Sequence, residues 1–192
     1  MNFAANLTML FTEYDFLDRF EKAHKNKIEN FIIRPATVCG YSPRMRYDLT
    51  VNALTYSALK KNIITVNGGD QIRPNIHIQD LVDLYIFLLK KNKKFCGIYN
   101  AGFENLSVLN IAKKIKKFIP IKIKILKKNY DPRSYRLDSS KLLKIGFKPK
   151  HNIMSAVKEL KNKYDRGKLK DNPKFYSIKW LRKLAKSKKL SN

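Results

Sequence analysis

Residues 68–89 read GGDQIRPNIHIQDLVDLYIFLL. A Gly-Gly turn opens the stretch, a short extended piece carries Arg73 and His77, and an apolar run with helical spacing closes it. Pro74 fixes its own backbone and biases Arg73 toward extended geometry. A guanidinium binds phosphate oxygens in pairs and stays charged, so Arg73 is a candidate for an anionic ligand. The competing reading is a surface arginine beside a core histidine. His77 is read as structural, its ring nitrogens satisfied by neighbours. Asp80 can cap the helix that follows.

Outward from this stretch, strands and helices alternate. Toward the N-terminus, IITVNGG is a short strand, DLTVNALTYSALKK a helix with Asp48 near its N-cap, and YSPRMR a loop. ENFIIRPATVCG is a continuous apolar run, expected as one buried strand. DFLDRFEKAHKN reads as a helix with Phe16, Phe20 and Ala23 on one face, and NFAANLTMLF as a strand before it. Toward the C-terminus come a buried strand, GIYNAG, and a helix, VLNIAKKIKKF, capped by Ser107 and stopped by Pro120. IKIKIL alternates as a strand, and SSKLLKIG is a short helix ended by Gly146. NIMSAVKELKNKYDRG is a further helix, and a basic helix, KWLRKLAKSKK, ends the tail. The alternation gives an α/β class.

The 192 residues carry 41 Lys and Arg against 15 Asp and Glu, a formal net charge of +26. Such a charge favours polyanions. Yet the lysines run from Lys22 to Lys189 in patterns such as IAKKIKKF, the solvated face of an amphipathic helix. Non-specific polyanion binding is therefore expected, and sequence-specific nucleic-acid recognition is not. Cys39 and Cys96 make no disulfide framework or metal cluster. No apolar run approaches a membrane span, and the opening MNFAANLTMLFTEYD lacks the charged start of a signal peptide. A soluble, cytoplasmic setting is the expectation.

Four stretches in order, FIIRPATVCGYSPRMR, ITVNGGDQIRPNIHIQDLVDLY, GIYNAG and DPRSYRLDSSKLLKIGFKPK, resemble the second half of an extended short-chain dehydrogenase/reductase. The resemblance is to the NAD-dependent epimerase/dehydratase family acting on nucleotide sugars. It implies an incomplete Rossmann-type fold: the C-terminal part of the sheet plus a substrate-binding lobe. By the same resemblance Pro35 and Val38 line the cofactor side, and Asn52 lies on a helix that contacts the sugar nucleotide. Arg73 meets a substrate phosphate and Arg136 is a second arginine near the nucleotide, the two converging on one cleft. His77 and Asp80 order this lobe.

The chain departs from that family in two places. A dinucleotide needs a glycine-rich turn at a helix N-terminus, and glycines 40, 68, 69, 97, 102, 146 and 167 make neither GxxGxxG nor GxGxxG. The family's catalytic Tyr-x-x-x-Lys precedes the RPATV strand, where this chain has Tyr14 followed by Asp18. A carboxylate there raises a phenol's pKa instead of lowering it. Tyr56 with Lys60 and Tyr164 with Lys168 have the spacing but lie after the strand, and ten tyrosines among so many lysines make a pair or two by chance. No catalytic residue or metal ligand is assigned.

Residues 1–24, through FAANLTMLFTEYDFLDRF, resemble the opening strand and helix of hydroxypyruvate isomerase and related barrel sugar isomerases. That (β/α)₈ fold runs to about 250 residues, and its active site is assembled from strands this chain lacks. The simplest account of both resemblances is a fused or rearranged reading frame. Three segments follow: 1–28, a strand-helix unit; 29–170, the epimerase/dehydratase C-terminal half; and 171–192, a basic tail helix.

The expected function is the nucleotide-sugar-binding half of an epimerase or dehydratase, inactive alone. NAD or NADP, the cofactor the resemblance implies, is not expected to bind this chain alone. The partners expected are a nucleotide sugar and either a partner chain, which could supply the other half, or a second copy in a homodimer. The alternatives are a basic polyanion-binding module and, from the N-terminus only, an isomerase.

Overall fold

The computed structural model describes residues 13, 15, 18–25, 31–91, 95–127 and 131–189. The strand expected at 2–11 and the boundary near residue 28 lie outside the described residues. So do the side chains of Phe16, Phe20 and Ala23.

Seven helices and seven strands alternate among the described residues, as an α/β chain. They are α1 (Asp18–Lys25), β1 (Phe31–Pro35), β2 (Thr37–Cys39), α2 (Thr50–Lys61), β3 (Ile63–Asn67), β4 (Ile72–His77) and α3 (Ile78–Leu89). Then come β5 (Gly97–Ala101), β6 (Glu104–Ser107), α4 (Val108–Phe118), β7 (Lys122–Leu126), α5 (Ser140–Lys144), α6 (Ile153–Asp165) and α7 (Ser177–Lys189). The strands form three small sheets: β1 parallel to β5, β2–β4–β6 with β2 parallel and β6 antiparallel to β4, and β3 parallel to β7.

The run ENFIIRPATVCG is not one buried strand. It breaks at Ala36 into β1, paired with β5, and β2, paired with β4. Pro35 has no N–H to give a ladder. Ala36 N–H makes the last bond to this sheet, at 2.8 Å from the Ala101 carbonyl. Beyond it, any Cβ on Gly102 would come within 2.7 Å of Ala36 Cβ, so the backbones approach closely only because Gly102 has none. Both chains then leave for the β4 sheet. β1 is also only half-buried: Phe31 and Ile33 face a core cluster, while Arg34 and Pro35 are exposed.

Two helix caps also differ from expectation. Asp48 does not cap α2, whose N-cap is Leu49 without a side-chain bond. Its carboxylate instead accepts from Arg46 Nε and Nη2 at 2.7 and 3.1 Å. Asp80 sits in the first turn of α3, and the cap is His77, whose Nδ1 accepts from Gln79 N–H at 3.1 Å. Ser107 caps α4 as expected, accepting from Asn110 N–H at 3.2 Å. α6 begins with a reciprocal Asn152–Ser155 capping box.

One core cluster joins Val51 and Ala58 of α2, Ile64 and Val66 of β3, Ile111 and Ile115 of α4 and Val157 of α6. A second joins Ile76 of β4, Leu84 and Leu88 of α3, Tyr99 and Ala101 of β5 and Leu142 of α5. A third gathers Met45, Tyr47, Tyr56, Leu160 and Leu169, where Tyr47 and Tyr56 stack at 4.1 Å. β4 touches the first two lobes through its neighbours, and its two ends carry the polar clusters described next.

Candidate functional site

β4 is central in its sheet, and five of its six residues are buried. At its N-terminal end Arg73 is 9% exposed. Its guanidinium donates to the carbonyls of Ile72, at 3.1 Å, and Arg133, and pairs with Asp131 Oδ2 at 3.0 Å. Arg133 Nη2 reaches the same Asp131 oxygen at 2.6 Å. One carboxylate thus lies between two arginines. The Arg133 guanidinium first, then the Arg133 backbone N–H and the charge of Arg73, hold the Asp131 carboxyl well below the usual carboxylate range. The Tyr135 ring lies 5.9 Å from Arg73 Cζ.

The segment that brings these groups together runs beside β4 and β6. Tyr135 N–H donates to the Ile72 carbonyl at 3.4 Å, and Ser134 Oγ accepts from Ile72 N–H at 2.9 Å. Leu137 and Asn105 exchange two bonds, and Ser139 Oγ both accepts from Gly102 N–H and donates to its carbonyl. Ser134, Tyr135, Leu137 and Ser139 are thereby tied to β4, to β6 and to Gly102 after β5. Arg136 falls between two tied residues and is exposed. The arginine joined to Arg73 through a shared carboxylate is Arg133, which the sequence reading passed over. Asp131, two residues before Arg133, was the available signal.

At the C-terminal end of β4 the arrangement is closed. His77 is buried, its ring stacked on His151 with centroids 4.6 Å apart. Because Nδ1 accepts from Gln79, Nε2 carries the proton; it faces Glu159 Oε2 at 3.4 Å without a well-aligned hydrogen bond. Burial pushes the His77 pKa down, the charge of His151 pushes the same way, and Glu159 and Asp80 oppose them. Asp80 is 1% exposed and accepts from Lys150 N–H at 2.9 Å, His151 N–H at 3.0 Å and the His151 ring at 2.9 Å. Sequence reasoning had no means of seeing His151 or Glu159 here, since both arrive from more than seventy residues away.

Asn52 is buried in α2, and its Oδ1 accepts from Gly40 N–H at 3.0 Å. Gly40 has φ +107, and a Cβ there would come within 2.9 Å of His77 Nε2. Pro35, at the carboxyl end of β1, is exposed, and Val38 packs partly buried against the α3–β5 cluster. The carboxyl ends of β1 and β5 lie side by side, the position where open α/β sheets bind ligands.

Of the two tyrosine–lysine pairs, Lys60 pairs with Asp171 at 2.6 Å and lies 5.4 Å from the centre of the Tyr56 ring, which is stacked on Tyr47. Burial raises the Tyr56 pKa, and the Lys60 ammonium opposes that rise. Tyr164 and Lys168 lie across the C-terminal end of α6. Among the described residues, no strand leads through a glycine turn directly into a helix, the arrangement that cradles a dinucleotide. Among the described residues, Gly40, Gly68 and Gly69 follow strands, but each is separated from the next helix by at least one further element or loop.

Residues 17–102 match the model of the NAD dependent epimerase/dehydratase family. The match begins inside the segment read as isomerase-like. Among solved structures, the fold is similar to UDP-glucuronic acid 4-epimerase from Bacillus cereus in complex with UDP-glucuronic acid and NAD. The two share 26% identity with a TM-score of 0.61, over 75% of this chain and 48% of that one. It is also similar to ADP-L-glycero-D-manno-heptose-6-epimerase of Helicobacter pylori, with 20% identity, a TM-score of 0.62, and 85% and 56% of the two chains covered. A monomeric L-threonine 3-dehydrogenase from a metagenome, in its apo form, gives 15% identity and a TM-score of 0.66 over 80% and 54%. The chain therefore spans about half the length of the solved structures it resembles.

Proposed function

We propose that the chain supplies the nucleotide-sugar-binding part of an NAD-dependent epimerase or dehydratase, the family whose model matches residues 17–102. The observation that carries the reading is the pair of arginines on one carboxylate, Arg73 and Arg133 on Asp131. Two guanidinium groups at one point repel each other unless an anion lies between them. Asp131 fills that role in the free chain, and the diphosphate of a nucleotide sugar would take it over in the complex. Arg73 is the buried partner, held by two carbonyls, and Arg133 is the exposed one, at 80% side-chain exposure. Arg136 extends the charge from the neighbouring position. Asn52 acts through Gly40, keeping the loop after β2 in place, and Pro35 and Val38 face the cofactor side.

NAD supplies hydride transfer in this family. The described residues offer no glycine turn opening a helix for its pyrophosphate, and its chemistry is left to the half that carries one. The chain alone is expected to bind ligand without turnover and to show no micromolar NAD affinity.

Calorimetric titration with uridine diphosphate tests the reading. Arg73→Ala is expected to weaken binding by about 1.5 to 3 kcal/mol, the range for a charge-assisted contact. Unchanged affinity would leave Arg73 as a tie for the 131–139 segment only. A second reading, polyanion binding, is favoured by the net charge of +26. It predicts equal affinity for unrelated DNA duplexes, collapsing with salt.

A further inference from the structure

We propose that α7 is an interfacial helix that lies on anionic phospholipid bilayers. The inference stands apart from the nucleotide-sugar reading and rests on other residues. α7 has the sequence SIKWLRKLAKSKK, without one acidic residue. Over residues 178–186, at helical spacing, Ile178, Leu181, Leu184 and Ala185 fall on one arc, and Lys179, Arg182, Lys183 and Lys186 on the other; Lys188 ends the apolar arc one turn beyond Leu184. The apolar arc is turned outward: Ile178 is 55% exposed and Leu181 61%.

The helix is fixed at its start. Arg44 Nη2 donates to Ser177 Oγ at 3.5 Å, and Ile178 N–H donates to Asp48 Oδ2 at 3.4 Å. Tyr176, just before α7, packs into the Tyr47 cluster. An amphipathic helix is thus held against the domain by its first turn and presents isoleucine and leucine to solvent. Trp180 is half-buried, with the Lys174 ammonium 5.6 Å from its ring.

A cationic arc alone would serve nucleic acid, but phosphates give Ile178 and Leu181 nothing to bind. A bilayer with acidic headgroups accepts both arcs at once, the apolar one at the acyl boundary and the lysines among the headgroups. The match of basic arc to acidic surface selects the occupant.

Trp180 is the single tryptophan of the chain, so its fluorescence reports on α7 directly. Full-length protein is titrated with phosphatidylcholine vesicles with and without phosphatidylserine. The expected result is a blue shift, with quenching by brominated acyl chains, only when phosphatidylserine is present. Ile178→Ser with Leu181→Ser keeps the charge and is expected to lose the shift and about ten-fold in partitioning. Lys183→Glu with Lys186→Glu, an independent check, is expected to weaken binding to the acidic vesicles. Co-sedimentation without an emission change would overturn the proposal by showing adsorption by charge alone. So would an equal shift with duplex DNA, or a shift that grows with protein concentration in the absence of lipid, the mark of a second copy on this face.

Discussion

The two ends of β4, at Arg73 and His77, are only four residues apart yet solve opposite problems. At the Arg73 end two arginines share one carboxylate at an exposed segment, so positive charge is left over. At the His77 end two stacked histidines meet two carboxylates, Asp80 and Glu159, and almost every polar atom is spoken for within the fold. An imbalance of charge at a surface invites a ligand. A balanced buried network instead fixes how elements far apart in sequence meet. The same strand therefore carries the candidate binding edge and the joint that keeps it in place.

The largest effect is expected at the joint. Asp80→Ala removes the acceptor of two backbone N–H groups and the His151 ring, and should cost about 3 to 5 kcal/mol in urea unfolding, the range for breaking a buried charged network. A cost below about 1 kcal/mol, typical of a surface pair, would erase the contrast between the two ends. Next is the pH response of the joint. The His77 pKa is lowered in the fold, so the unfolded chain takes up its proton first. The contribution is fully present above the ordinary value of 6.5 and is lost as the pH falls from there through the lowered value in the fold. The urea midpoint should therefore drop between pH 7.5 and 5, and His77→Asn, which retains a capping oxygen, should flatten that slope. Glu159, His151 and Asp80 face the same ring, and His77→Asn is the variant that isolates its share. The smallest stability effect is expected at the other end. Asp131→Asn should leave the urea midpoint nearly unchanged, yet tighten uridine diphosphate binding because the competing carboxylate is gone. Weaker binding would mean that Asp131 organises the arginines and does not stand in for the ligand.

The alternation of elements was legible because each rests on local rules. Period-two apolar residues made β7, a serine cap and a proline stop bounded α4, and Gly146 with φ +96 closed α5. The family resemblance was legible from ordered stretches, of which those between residues 31 and 102 lie within the matched region and the one at 131–150 lies beyond it. What was not legible depends on contacts made from afar. Asp80 looks like a cap in isolation and is an anchor because residues 150 and 151 arrive at it. Arg136 and Arg133 are equivalent as residue types; the bonds of Tyr135 and Leu137 to β4 and β6 decide which one meets Arg73 through Asp131. The single strand expected across Ala36 became two because β5 and β4 compete for it, and only Gly102 lets the chains cross so closely.

The sheets leave one more mark on the molecule. β1 and β5 cover one face with Phe31, Ile33, Tyr99 and Ala101, while Ile98 on the other face is 42% exposed. Parallel sheets are rarely left bare on a side. Among the described residues β7 pairs only with β3, and it intersperses Lys122 and Lys124 with its isoleucines, so copies that approach along that edge repel one another. That repulsion reaches only about 10 Å at 0.1 M salt and shrinks as salt is added. The folded chain should then stay dispersed in dilute buffer and begin to self-associate through its strands as ionic strength rises, a colloidal behaviour set by lysine spacing and not by loss of structure.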